Sequence, residues 1–196
     1  MNLPNKITMA RIVLSILLII FLIFPFDACG LYLPKYQIGV VSIELKYIIG
    51  GVVFLIASLT DSLDGYLARS RNLVTDFGKV MDAIADKMLV NGILIVLANN
   101  NMINVAVPVI IITRDIAVDS IKMVAGQSGH AVGASILGKL KTICMMSGLT
   151  LVFFGNIPFE FIGINVAQGL VYAATILSII SGIQYYAVNK DAFKEK

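Results

Sequence analysis

Two pairs of aspartates stand out by their spacing. Asp61 and Asp64 are three residues apart, and Asp82 and Asp86 are four apart. Either spacing puts both side chains on one face of a helix. Gly65 and Ala68 continue the first face, with Arg69 one turn beyond Gly65, and Gly78 precedes Asp82 on the second. The segment between the two helices is short, which predicts antiparallel neighbours with all four carboxylates converging. Gly65, Ala68 and Gly78 leave room for close helix contact, or for a substrate to reach the backbone. Carboxylate oxygens are the donors that Mg²⁺, Mn²⁺ and Ca²⁺ prefer, and two such cations sharing a bridging carboxylate suit four aspartates and a diphosphate.

The elements that carry these residues are apolar. The chain has 196 residues, 58% hydrophobic and 14% charged, with a formal net charge of +3. Mean hydropathy is +0.90. Soluble domains run about 45–50% apolar and 25% charged, so a disordered chain, a disulfide scaffold and an ordinary cytosolic enzyme are excluded. No basic, aromatic-studded run suits a nucleic acid. Cys29 and Cys144 fall in an expected outer loop and inside an expected helix, so neither a disulfide nor a metal site is read from them. A span needs roughly 20 apolar residues. The chain is therefore read as one all-α membrane domain, 1–196, with six transmembrane helices at 7–26, 44–60, 77–99, 103–124, 135–155 and 165–188. The first of these reads as a retained helix, not a cleaved signal peptide.

Lysine and arginine set the orientation. The expected inner segments carry Lys6, Arg11, Arg69, Arg71, Lys79, Lys87, Lys122, Lys139, Lys141, Lys190, Lys194 and Lys196, against Lys35 and Lys46 outside. That bias puts both termini, and the polar 61–87 stretch, on the cytoplasmic side. An aspartate bare at mid-membrane costs about 2.5–3.5 kcal/mol, so four cost roughly 10–14. A typical domain is stable by only about 5–15 kcal/mol, so these acids need partners. Solvated helix ends paired with Arg69, Arg71, Lys79 and Lys87 are one alternative to a metal site. An ion path is another, although acids clustered at one depth do not form a ladder across the membrane.

The pattern Asp61-x2-Asp64-Gly65-x2-Ala68-Arg69-x8-Gly78-x3-Asp82-x3-Asp86 resembles the signature of the CDP-alcohol phosphatidyltransferases at every fixed position. The six-helix layout extends the resemblance over the chain. It implies displacement of CMP from a CDP-linked lipid by an alcohol, with divalent metal, Mg²⁺ or Mn²⁺ and two per site, held by Asp61, Asp64, Asp82 and Asp86. Asp86 is also the position implied as general base. Gly65, Ala68, Arg69 and Gly78 match positions beside CDP-diacylglycerol, and Pro4-Asn5-x2-Thr8 is similar to an element that encloses the cytidine. The resemblance further implies a homodimer.

Acceptor choice falls to the second half of the chain. Arg114 inside the fourth span, with Lys122, Lys139 and Lys141, offers cations for the phosphate of a phosphorylated alcohol. Against that stand a salt bridge from Arg114 to Asp115 or Asp119 and the inner-side positive bias for the lysines. Segments 2–11, 112–116 and 138–142 resemble the branch of the family that joins CDP-diacylglycerol to sn-glycerol 3-phosphate. Ala83, Asp119 and Lys122 depart from that branch, and Lys122 in place of Arg loses a bidentate phosphate grip. Serine, inositol-phosphate and cardiolipin synthesis are the runners-up, and a divalent-cation transporter is the reading from another class. No activated Ser, Cys or His nucleophile accompanies the acids, so direct attack fits better than a covalent intermediate. The short chain, without a transit peptide, suits a bacterial plasma membrane. His130, alone in a Gly-rich loop, is not taken as a base, and Tyr185 and Tyr186 read as an interfacial belt.

Overall fold

The computed structural model describes residues 3–70, 75–127 and 136–190, with the side chains of 3, 62–69, 76, 79 and 127 outside that description. Six long helices make up most of it: α1 (Leu3–Ile23), α2 (Leu45–Ser70), α3 (Asp76–Asn99), α4 (Ala106–Gln127), α5 (Ile136–Phe153) and α6 (Val166–Asn189). Among the described residues, three stretches are long and apolar enough to cross a membrane: Pro4–Ile23, Ile136–Phe153 and Val166–Asn189. Helix α3 carries its ionisable residues in its first half and α4 in its middle, and both fall short by composition. Large apolar side chains stay exposed along the outer surface, among them Leu17, Ile20, Ile176 and Ile183. On a soluble monomer so much exposed apolar surface is a liability; here it is a face for lipid. The protein is a membrane protein built almost wholly of helices.

Two details depart from the sequence reading. The first connection is not plain loop: β1 (Lys35–Ile38) and β2 (Val41–Glu44) form an antiparallel hairpin, with Lys35 opposite Glu44. Their alternation is too short to stand out among apolar spans. The helix also runs past Thr60, the expected end of the second span: α2 continues unbroken to Ser70 and carries the first acid pair, as the helical spacing of Asp61 and Asp64 expects. Nothing at 60–70 ends a helix, there being no proline and one glycine.

The helices pack as two groups. Helix α1 lies against both α2 and α3, while α6 lies against α4 and α5; α2–α5 and α3–α4 contacts join the groups. Helices α2 and α3, expected as neighbours, are in contact among the described residues, and each packs more extensively against α1. Its Leu18 and Leu22 are buried in the shared core, and Ile19 stands where a Cβ on Gly92 of α3 would be. The core centres on Phe54, Leu89, Ile93, Leu97, Ile111, Met145, Leu149 and Phe153. At the far end of α5, Asn156 pins the turn into α6: its Nδ2 donates to Glu160 (2.8 Å) and to the Ile164 carbonyl (2.8 Å), and its Oδ1 accepts from the Ala167 N–H (2.9 Å).

Candidate active site

Helix α1 presents a polar stripe to α2 and α3. Asn5, Thr8, Arg11 and Ser15 recur every three or four residues and are all buried, as one helical face requires. The hydroxyls of Thr8 and Ser15 donate within their own helix, to the Pro4 carbonyl (3.1 Å) and the Arg11 carbonyl (2.8 Å). Asn5 reaches across instead, and its Nδ2 donates to Thr75 Oγ1 at 3.1 Å. Thr75 is the N-cap of α3, its Oγ1 accepting from the Gly78 N–H at 3.0 Å. Gly78 is small for a visible reason: a Cβ there would lie 2.6 Å from Asn5 Oδ1. Asn5, expected to help enclose the cytidine, and Gly78, expected beside CDP-diacylglycerol, are thus in contact and fix the start of α3 against α1.

Arg11 is the centre of this end of the molecule. Its side chain is 1% exposed and its Nη1 donates both to Asp61 of α2 and, at 3.2 Å, to Asp82 of α3. Two motif carboxylates from different helices therefore converge on one buried cation. The acids themselves stay partly open, with side chains 36% and 48% exposed. Sequence reading counted Arg11 only toward orientation. The signal was present, because a charge one turn beyond Thr8 in an apolar helix demands an anion. Asp64, Gly65, Ala68 and Arg69 lie on α2, their side chains outside the described residues. Among the described residues, no three carboxylate, imidazole or thiol groups gather as a metal-holding set. The donor chemistry nonetheless fits a hard divalent ion, since the Asp61 and Asp82 carboxylates already share one positive charge.

Asp86, one turn after Asp82, faces the second helix group. With Lys87, Asp115, Lys141 and Met145 it lines a cavity of about 30 Å³, room for about one water. Asp115 of α4 accepts from Lys141 Nζ (2.7 Å) and Arg114 Nη1 (2.9 Å). The rest of Arg114 is spent on α6: Nε donates to the Ser178 carbonyl (2.9 Å) and Nη2 to Ser181 Oγ (2.7 Å). The Arg114 stem packs on Gly182, where a Cβ would meet Cγ at 3.1 Å. Of the four cations expected to hold the acceptor's phosphate, then, Arg114 and Lys141 meet at Asp115. Lys122 lies apart, its Nζ 5.2 Å from the ring centre of Tyr185, and Lys139 is exposed. Tyr185 is buried under Lys122 and Arg114 rather than in an interfacial belt. Lys87 pairs with Asp119. The salt bridge from Arg114 to Asp115 is one of the alternatives the sequence offered, and the packing of α6 adds Ser178 and Ser181.

The model of the CDP-alcohol phosphatidyltransferase family matches residues 1–180. The chain belongs to that family. It is 37% identical over 193 residues to the CDP-diacylglycerol–glycerol-3-phosphate 3-phosphatidyltransferase of Bacillus subtilis, covering 98% of this chain and 97% of that one. A crystal structure of Mycobacterium tuberculosis phosphatidylinositol phosphate synthase with CDP-DAG bound matches this CDP-alcohol phosphatidyltransferase at TM-score 0.62 and 21% identity. It covers 100% of this chain and 92% of that one. The same synthase in complex with manganese and citrate matches at TM-score 0.61 and 19% identity, covering 100% and 87%. At such identities the two structures speak for the fold.

Proposed function

We propose that the chain transfers the phosphatidyl group of CDP-diacylglycerol to sn-glycerol 3-phosphate, giving phosphatidylglycerophosphate and CMP. The observation that carries this is the convergence of Asp61 and Asp82, from the two halves of the family signature, on one buried cation between three helices. The full-length relative named for this reaction supports the acceptor. Asp61, Asp64, Asp82 and Asp86 would hold one or two divalent ions, which supply positive charge against the diphosphate when bound. Asp86 accepts the proton of the acceptor hydroxyl. The hydroxyl oxygen forms its bond to the β-phosphorus as the bond to CMP breaks, so CMP leaves with the electron pair. Asn5, Thr8, Gly65, Ala68, Arg69 and Gly78 enclose the CDP end of the lipid.

Lys141 and Arg114 take the acceptor's phosphate, Lys141 turning from Asp115 to do so. The cavity that Lys141 lines has room for about one water, so binding requires side chains there to move. Lys122 and Lys139 add positive potential on the same side. The single domain, 1–196, crosses a bacterial plasma membrane six times with both termini and the site on the cytoplasmic face, and it works as a homodimer. The positive bias of the inner segments and the family membership support this placement.

Purified protein in detergent, given CDP-diacylglycerol and Mg²⁺, tests the reading by CMP release as the acceptor is varied. Release with sn-glycerol 3-phosphate is the expected result. Release only with serine, with inositol phosphate or with phosphatidylglycerol would overturn the acceptor while keeping the family.

A further inference from the structure

We infer that Arg11 is the resident cation of the carboxylate cluster: a positioning residue that supplies positive charge between Asp61 and Asp82 and weakens the hold of any metal ion that joins them. The inference rests on the metal-assisted reading above. Three observations carry it. Arg11 is buried while both acids remain partly open, so it backs the pair and leaves their other side to solvent. The two acids belong to different helices, and among the described residues it is Arg11 of α1 that pairs with both. A single guanidinium nitrogen, Nη1, donates to both carboxylates, so one positive group serves the two acids.

The contrast with Arg114 makes the role specific. Arg114 is anchored by a backbone carbonyl, a serine and the aspartate beside it in its own helix. Arg11 is held by two acids of the signature. Farther along α1, Leu18 and Leu22 are buried in the core and Ile19 fills the space over Gly92. The helices therefore stay in place when the guanidinium is lost, and the change at the site is one of charge. Loss of the guanidinium removes one positive charge from beside the two carboxylates.

The test uses the full chain in detergent, with Mn²⁺ as the probe. Arg11→Gln is expected to melt earlier than wild type in EDTA, and to bind Mn²⁺ roughly tenfold more tightly by electron paramagnetic resonance titration. The thermal gap then narrows at saturating Mn²⁺. Arg11→Lys keeps the charge and is expected to stay within about threefold of the wild-type Mn²⁺ affinity. A double-mutant cycle of Arg11→Gln with Asp82→Asn, melted in EDTA, is expected to show strong coupling. Unchanged or weaker Mn²⁺ binding in Arg11→Gln would overturn the inference, as would additive losses in the cycle. If Arg11→Gln does not fold, Arg11→Lys in the same cycle decides by the same coupling. Wild type that binds no Mn²⁺ would overturn the metal reading and the exchange together, while the EDTA cycle still decides whether Arg11 holds the acids.

Discussion

Arg11 in α1 and Arg114 in α4 are both largely withdrawn from water, yet they are held by different kinds of group. Arg11 bridges acids from two other helices, and those acids stay partly open. Arg114 is tied to α6 by Ser178 and Ser181 and to its neighbour Asp115, with Gly182 beneath its stem. The first arrangement gathers negative charge where a cation can approach. The second fastens two helices and leaves Lys141, shared with Asp115, beside Asp86. A buried charge in an apolar helix is costly in either case. Its partners tell whether it gathers acids toward a metal ion or ties one helix to another beside the acceptor's cavity.

The largest effect is expected at the acids themselves. Asp61→Asn and Asp82→Asn should each lower kcat/KM for CMP release by roughly a thousandfold or more, about 4 kcal/mol of lost transition-state stabilisation. Circular dichroism should show the helices intact. Activity near wild type in either variant would break the contrast at its functional end.

Arg114→Gln tests the other end. It should cost about 3–5 kcal/mol, the range for removing one partner of a buried ion pair. The loss should be the same in EDTA and in Mn²⁺, unlike that of Arg11→Gln. A loss that Mn²⁺ repairs would place Arg114 with the metal-linked groups and erase the distinction.

A smaller effect separates the two glycines. Gly78→Ala puts a Cβ against Asn5 at 2.6 Å and should destabilise by about 1–3 kcal/mol. At Gly182 the neighbour is the flexible stem of Arg114 at 3.1 Å, so Gly182→Ala should cost less. Thermal melts of the pair check the order.

The smallest effect lies outside the membrane, in the hairpin. The hydrogen bond from Lys35 holds the Glu44 carboxyl below its ordinary range against the opposing effect of burial, and the same bond raises Lys35. A lowered carboxylate stabilises above its unfolded value, and that contribution disappears as pH falls through the folded value. A raised lysine acts the other way, its contribution vanishing as pH rises through the raised value. A slight loss of melting temperature on acidification, absent in Glu44→Gln, is expected. The pair is largely exposed, so the effect is small.

How far the site was legible in the sequence follows from where its information lies. The signature acids were visible because helical spacing puts Asp61 with Asp64 and Asp82 with Asp86, and apolar runs marked the helices that carry them. The hairpin was hidden by its short strands, whereas the continuation of α2 past Thr60 was legible from the helical spacing of Asp61 and Asp64. Arg11 was hidden for a different reason. Its partners are 50 and 71 residues away, and local spacing carries no record of which helix stands between two others. Arg114 was half legible: the Asp115 partner sits next to it, whereas Ser178 and Ser181 are brought in by the packing of α6.

The central claim is that carboxylates at the α1–α2–α3 end work through a bound divalent ion. The most direct measurement is CMP release from CDP-diacylglycerol and sn-glycerol 3-phosphate in excess EDTA, followed by restoration with Mg²⁺ or Mn²⁺. No release in EDTA and full recovery on adding metal is the expected result. An undiminished rate in EDTA would contradict it.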